Sequence, residues 1–140
     1  MAIAFDAAAS SAATAVTSLT YSHTVAVGDD RVLRVSPEWY DGTAARTVSS
    51  ITYAGDSVTE VTGALSTANV GSDRVGVSIY RRLATATGAN NVVVTLSASV
   101  PSGVIAAQSY TGVDKTTPIG TMVDAFGTST APSVAVSSAV

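Results

Sequence analysis

The sequence predicts an all-β protein: an antiparallel β-sandwich of jelly-roll or Ig-like kind, with about eight short strands in one domain over residues 1–140. Three observations predict it. Apolar residues recur at every second position in one short stretch after another. Clusters of Gly, Asp, Asn and Pro punctuate those stretches at roughly ten-residue spacing. Nothing between them carries the 3.6-residue period or the capping pattern of the crossover helices that a parallel βαβ fold needs.

Residues 1–16 read as an extended N-terminal segment. Ala7 to Ala15 is a run of Ala, Ser and Thr without helical apolar spacing, which predicts a linker or a loosely attached edge, although alanine's helix propensity competes with that reading. From Leu19, alternation sets in. Leu19, Tyr21, His23 and Val25 share one face, and Thr20, Ser22 and Thr24 the other. Gly28-Asp29-Asp30 is turn chemistry, and Arg31 to Tyr40 alternates again with Leu33, Val35, Pro37 and Trp39 in phase, so the two strands read as a hairpin. Pro37 has no N–H for a ladder, which places it at an edge or a bulge. Thr47 to Tyr53 and Ser57 to Thr62 flank Ala54-Gly55-Asp56 as a second hairpin, and Gly63 to Asp73 reads as loop. Val75, Val77, Ile79 and Leu83 then form an apolar phase against Gly76, Ser78, Tyr80 and Arg82, with an end or twist at Arg81. After a turn over Thr85 to Asn91, Val92 to Ala98 is the most apolar strand and belongs at the centre of its sheet. Pro101-Ser102-Gly103 separates it from a strand over Val104 to Tyr110, and Gly112 to Pro118 is a turn-rich loop. Residues 131–140 contain a terminal strand that begins at Ser133, with room for a partner to complete it.

A chain of 140 residues buries roughly two-thirds of its unfolded surface, enough for one core without staples. Cysteine is absent, which rules out disulfides and zinc sites built on paired thiolates. No apolar run approaches the ~20 residues of a membrane span, and the first residues lack the basic and apolar regions of a secretory signal. The net charge is -3 and only 12% of residues are charged, so the exterior must be largely Ser, Thr, Ala and Gly. Seven scattered basic residues outnumbered by acids argue against nucleic acid, which needs clustered Lys and Arg to displace counterions. Weak repulsion between copies suits a subunit that packs against others.

The inventory for chemistry is thin. The single histidine, His23, lies in phase with the core side of its strand and reads as a buried, hydrogen-bonded residue. No Gly-x-Ser-x-Gly elbow presents a serine. Glu38 and Glu60 are the only glutamates and both fall on polar phases, which is unlike the paired, burial-tuned carboxylates of a glycosidase. Asp29, Asp30 and Asp73 could offer oxygen ligands to Ca²⁺, but no Asp-x-Asp-x-Asp-Gly loop holds them, so turn formation is the expected role. No catalytic, metal or cofactor residues are assigned. Trp39 is in phase with Leu33 and Val35 and should be core. Tyr40 and Tyr80 fall on the opposite phase as candidate exposed contacts, for a sugar or for ordinary sheet-surface pairing.

Three stretches together carry a resemblance: Leu19-Thr20-Tyr21-Ser22-His23-Thr24-Val25, Val48 to Gly55, and Ser109-Tyr110-Thr111-Gly112-Val113-Asp114-Lys115-Thr116-Thr117-Pro118-Ile119-Gly120. In order and spacing, from Ile3 to Val136, the chain resembles a β-sandwich module that recurs in bacteriophage structural proteins and large bacterial cell-surface proteins. The resemblance implies a non-enzymatic subunit for capsid decoration, cementing or a tail, assembled in the host cytoplasm into a virion. Its implied partners are a major capsid or tail protein and copies of itself. The alternative it implies is an adhesive or carbohydrate-binding module at a cell surface, with a glycan as partner. Such modules continue past a segment like Ser133 to Ser138, so Ile3, Phe5, Val134 and Val136 are expected at subunit contacts, where an open edge invites strand addition.

Overall fold

The computed structural model describes residues 2–118, 120, 122, 123, 131, 133 and 135. Those residues form an all-β, antiparallel structure of nine strands: β1 (Ala4–Val25), β2 (Val32–Gly42), β3 (Val48–Tyr53), β4 (Asp56–Ser57), β5 (Thr59–Glu60), β6 (Ser66–Val70), β7 (Asp73–Val77), β8 (Tyr80–Leu83) and β9 (Gly88–Thr111). Two of the nine are long, with 22 residues in β1 and 24 in β9. They pair along their whole length, from Ala4 opposite Thr111 to Val25 opposite Gly88.

This ribbon is folded across its middle. Between the pairs Val16–Val100 and Ser18–Thr95, residues 96–99 of β9 stand against Thr17 alone. Ala15, beside the step, takes a left-handed φ of 54°. An excess of residues on one strand bends and twists the pair, and the two ends of the ribbon meet. The His23 ring lies 3.0 Å from Ser109 Oγ, and the Ala26 N–H donates to the Asp6 carboxylate over 3.0 Å. The hydrogen-bonded sheet is continuous, and it curls until its halves face each other as the layers of a sandwich.

The first layer holds the second half of β1, the first half of β9, then β3 and β4; the second holds the first half of β1, the second half of β9, and β2. On its far side β2 pairs with β8 at Val32–Val35 and with β7 at Glu38–Gly42; β5 lies outside β8 and β6 outside β7. Leu19, Val92, Val94, Leu96, Ile51 and Tyr53 from the first layer meet Leu33, Val35, Trp39, Ile105 and Ala107 from the second, all buried. Each large aliphatic side chain taken fully from water contributes about 1.5–3 kcal/mol. Tyr53 closes one end: its buried hydroxyl lies 3.1 Å from the His23 carbonyl and 2.9 Å from that of Gly88. The Ala54-Gly55 turn between β3 and β4 has φ of 54° and 85°, the doubly left-handed pattern that suits a two-residue hairpin.

Several expectations need correction. β1 and β2 form no hairpin; each pairs with β9, and the Gly28–Asp30 turn carries the chain from one layer to the other, with the Asp29 and Asp30 carbonyls accepting from the Gly112 and Val113 N–H groups. Of the two readings of the Ala-rich N-terminal segment the linker falls and the edge stands, although it is firmly paired: it is half of a long strand along β9. Val92 to Ala98 and Val104 to Tyr110 belong to one strand, because Pro101 falls at the fold of the ribbon instead of ending it. Val92 does sit centrally, between β1 and β3. The stretch read as loop after Gly63 contains β6, and Val75 to Leu83 divides at Ser78 and Ile79 into β7 and β8. Pro37 is buried in an interior strand, where β2 changes partner from β8 to β7. At that junction no N–H is required of it, while its carbonyl accepts from Ser78 N–H over 3.1 Å. The terminal strand begun at Ser133 lies outside the described residues apart from Ser133 and Ala135.

Candidate functional site

The largest departure from the expected pattern is in β7. Alternation alone predicts Val75 and Val77 inside and Gly76 and Ser78 outside; the structure has the reverse. Ser78 is buried, and Val75 and Val77 are 39% and 36% exposed. The reason is Trp39, which pairs with Gly76 across the ladder. Its indole fills the space above that glycine so completely that a Cβ there would lie 2.3 Å from the ring. A tryptophan on β2 therefore fixes the phase of β7, and the valines turn out onto the exterior of the second layer.

Those valines join Val104 of β9, 41% exposed, around Glu38 and Tyr40 of β2. Met122 and Val123 border the same face, and together they enclose a groove of about 660 Å³. Its wall is largely aliphatic, and Glu38 is the one carboxylate in its lining. Tyr40 is half-buried there; its hydroxyl is held above the ordinary phenol pKa mainly by a hydrogen bond to the Asp73 carboxylate, with burial and the carboxylate's charge adding to it. Glu38 is exposed. The signal that outweighs the alternation of Val75, Val77 and Ile79 is the pairing of one large ring with a glycine.

No family model, curated protein or solved structure matches the chain.

The other candidates from the sequence scatter. Tyr80 does not face outward: it is half-buried and packs against the core beside β2, because it shares the inward phase of Gly76 and Ser78, in the same register against β2 that sets Gly76 opposite Trp39 and Tyr80 opposite Val35. Burial raises its hydroxyl pKa, with the Glu60 charge adding. Tyr40 and Tyr80 thus form no shared platform. Ile3 and Phe5 are 66% and 62% exposed, and Phe5 meets Tyr110 edge to face at 5.8 Å. Val134 and Val136 lie outside the described residues. Asp30 pairs with Lys115 at 2.5 Å while Asp73 serves Tyr40, and among the described residues no three His, Asp or Glu side chains converge as a metal set. Glu60 is exposed and accepts from Ser78 Oγ over 2.7 Å.

His23 stands in a constellation with the ingredients of a hydrolytic triad but a different order. Ser109 Oγ donates to the Asp6 carboxylate over 2.7 Å, and His23 Nε2 is 3.0 Å from the same Oγ. Because the hydroxyl proton goes to the carboxylate, the pattern assigns the imidazole proton to Nε2, donating to Ser109. The histidine therefore cannot take the serine's proton, as a general base must. Both Ser109 and His23 are fully buried, and burial holds the imidazole below its ordinary pKa, against the opposing charge of Asp6. The chain of bonds ties β9 of one layer to β1 of both.

Proposed function

We propose that the chain is a non-enzymatic structural protein of a phage virion, a capsid decoration or cement protein or another surface subunit, acting through protein–protein contacts. The observation that carries the reading is the outward face of the second layer, where Val75, Val77 and Val104 stand on a rigid sheet around an open groove. Covering a valine contributes about 1.5–3 kcal/mol, and a surface with few charges has little else with which to bind. Glu38 in the lining, with Asp73 bonded to the Tyr40 hydroxyl beside it, favours a partner surface that is apolar with a basic border, on a major capsid or tail protein. The inward-facing His23 and Ser109 support a structural role for the one histidine. The stretches around Tyr21, Ile51 and Tyr110, which resemble phage and cell-surface modules, support the same class.

Mass spectrometry of phage particles purified from the host should find the chain in many copies. The double variant Val77→Asp/Val104→Asp should fold, by circular dichroism, and be missing from particles. A chain absent from particles, which instead binds a glycan array and loses that binding in Tyr40→Ala, would replace this reading with the adhesive one.

A further inference from the structure

Among the described residues the sheet has several unpaired edges, and they are not alike. β4 and β5 have two residues each and β6 has five. Short edges offer little template for strand addition. β4 is further guarded by a charged pair, Asp56 with Arg82 at 2.8 Å. β1 is different. Over 22 residues its only pairing partner among the described residues is β9, so its other side presents a row of backbone N–H and C=O groups. Lys, Arg and Pro are absent from Ala4–Val25, though these are the residues that normally protect an edge. Its one carboxylate, Asp6, is turned to Ser109 and to the Ala26 N–H and guards nothing.

We infer that β1 is a self-pairing edge: two copies join antiparallel through the first half of β1, making one sheet continuous across a twofold axis. The occupant is a second copy because the segment is complementary to itself. Register against β9 is unbroken from Ala7 to Thr14. Along that run Ala8, Ser10, Ala12 and Thr14 are exposed, while Ala7, Ala9, Ser11 and Ala13 are half-buried. Small uncharged side chains on both faces let an identical strand approach without steric or like-charge conflict. An antiparallel pair sets residues of the same face opposite each other, so the axis must pass through a residue rather than between two. For the run Ala7 to Thr14 that residue is Ser10 or Ser11.

Size sets the strength. The edge from Ala4 to Val16 is roughly 40 Å long and a sheet layer about 10 Å deep. It covers on the order of 400 Å² per copy, half the ~800 Å² of a standard interface. The dimer should therefore dissociate on dilution and hold firmly only where copies are already arrayed. The pairing is read from β1 alone and stands whether or not the chain belongs to a virion; particle composition tests that reading and cross-linking tests this one.

The absence of cysteine makes the test clean. Directly opposed residues have Cα atoms about 4.5–5.5 Å apart, within disulfide reach, whereas a residue one step from the axis is well beyond it. Single cysteines placed in turn at residues 8–13 of the full chain should give a sharp maximum of oxidised dimer at Ser10→Cys or Ser11→Cys. Thr20→Cys, exposed on the other half of the same strand, serves as the background. Ala8→Lys/Ala12→Lys should keep the circular dichroism spectrum and lose the dimer peak in sedimentation velocity. A flat cross-linking profile at the Thr20→Cys level would overturn the proposal, as would a monomer at every concentration or a dimer indifferent to the two lysines.

Discussion

The two halves of β1 are one strand with two jobs. From Ser18 to Val25 large side chains alternate with polar ones, and Leu19, His23 and Val25 are buried beneath the second layer. From Ala7 to Thr14 the alternation continues, but in Ala, Ser and Thr, and no side chain is fully buried. Both halves pair with β9 in the same antiparallel manner. Backbone pairing is thus shared between them, and side-chain volume decides which half holds the sandwich together and which lies at its margin. The lesson is that a strand's period gives its geometry, whereas its residue size gives its energetic share.

The largest expected effect breaks that comparison if it is wrong. Leu19→Ala should lower the unfolding free energy by about 3 kcal/mol, the usual cost of removing a buried leucine and leaving a cavity. Ala12→Ser, on the same strand and the same partner, should change it by less than about 0.5 kcal/mol. Urea titration of both variants measures the difference. Equal losses would mean that the Ala-rich half is as much core as the other.

A second effect concerns β7 and the face proposed for docking. Gly76→Ala places a methyl against the Trp39 ring, and overpacking of this kind costs about 1–3 kcal/mol. Trp39→Phe in the same chain shortens the ring and should restore part of that loss. If Gly76→Ala alone is neutral, the indole does not set the phase of β7, and the exposure of Val75 and Val77 has another cause.

How much of this was legible beforehand follows from the same distinction. The sandwich, the central place of Val92, and the burial of His23 and Trp39 could be read because each depends on which side of its own strand a residue falls. The pairing of β1 with β9 could not be read, because their partnership spans the chain and no local turn announces it. The outward valines of β7 were misread because period two has no sign: it says that Val75 and Gly76 face opposite ways, and only Trp39, more than thirty residues upstream, says which is inside. Tyr80 faces inward for the same reason: it shares the phase of Gly76 and Ser78, and the register that sets Gly76 on Trp39 sets Tyr80 on Val35. The open edge of β1 was half-visible as a stretch without Lys, Arg or Pro, but its meaning required knowing that nothing among the described residues lies beside it.

A third and smaller effect lies in the ties between the layers. Ser109→Ala removes the hydroxyl that joins His23 to Asp6, leaving the imidazole N–H buried without its acceptor. The loss should be about 1–2 kcal/mol, measured by the same urea titration. It is smaller than the Leu19→Ala loss because the apolar contacts of the core remain. A loss above that of Leu19→Ala would make the polar chain, rather than the core of β1's second half, the main joint between layers.

The smallest effect is a pH dependence, and its sign follows from burial. His23 is held below the ordinary imidazole value of 6.5 by desolvation, with the Asp6 charge opposing; Ser109 and the Tyr53 ring are its other neighbours. In the unfolded chain the ring protonates near 6.5, while in the fold it stays neutral to lower pH. Between the two values the unfolded state binds more protons, so stability rises with pH there. The contribution is complete above 6.5 and is lost as pH falls from that value through the lower folded one. Urea midpoints measured from pH 7.5 down to pH 5, where most carboxylates remain ionised, should therefore drift downward in the native chain. His23→Gln keeps an amide donor for Ser109 and has no proton to gain, so its midpoints should stay nearly level over the same range. An upward drift in the native chain would mean that the attraction of Asp6 outweighs desolvation, and the polar tie would then be an ion pair that strengthens in acid.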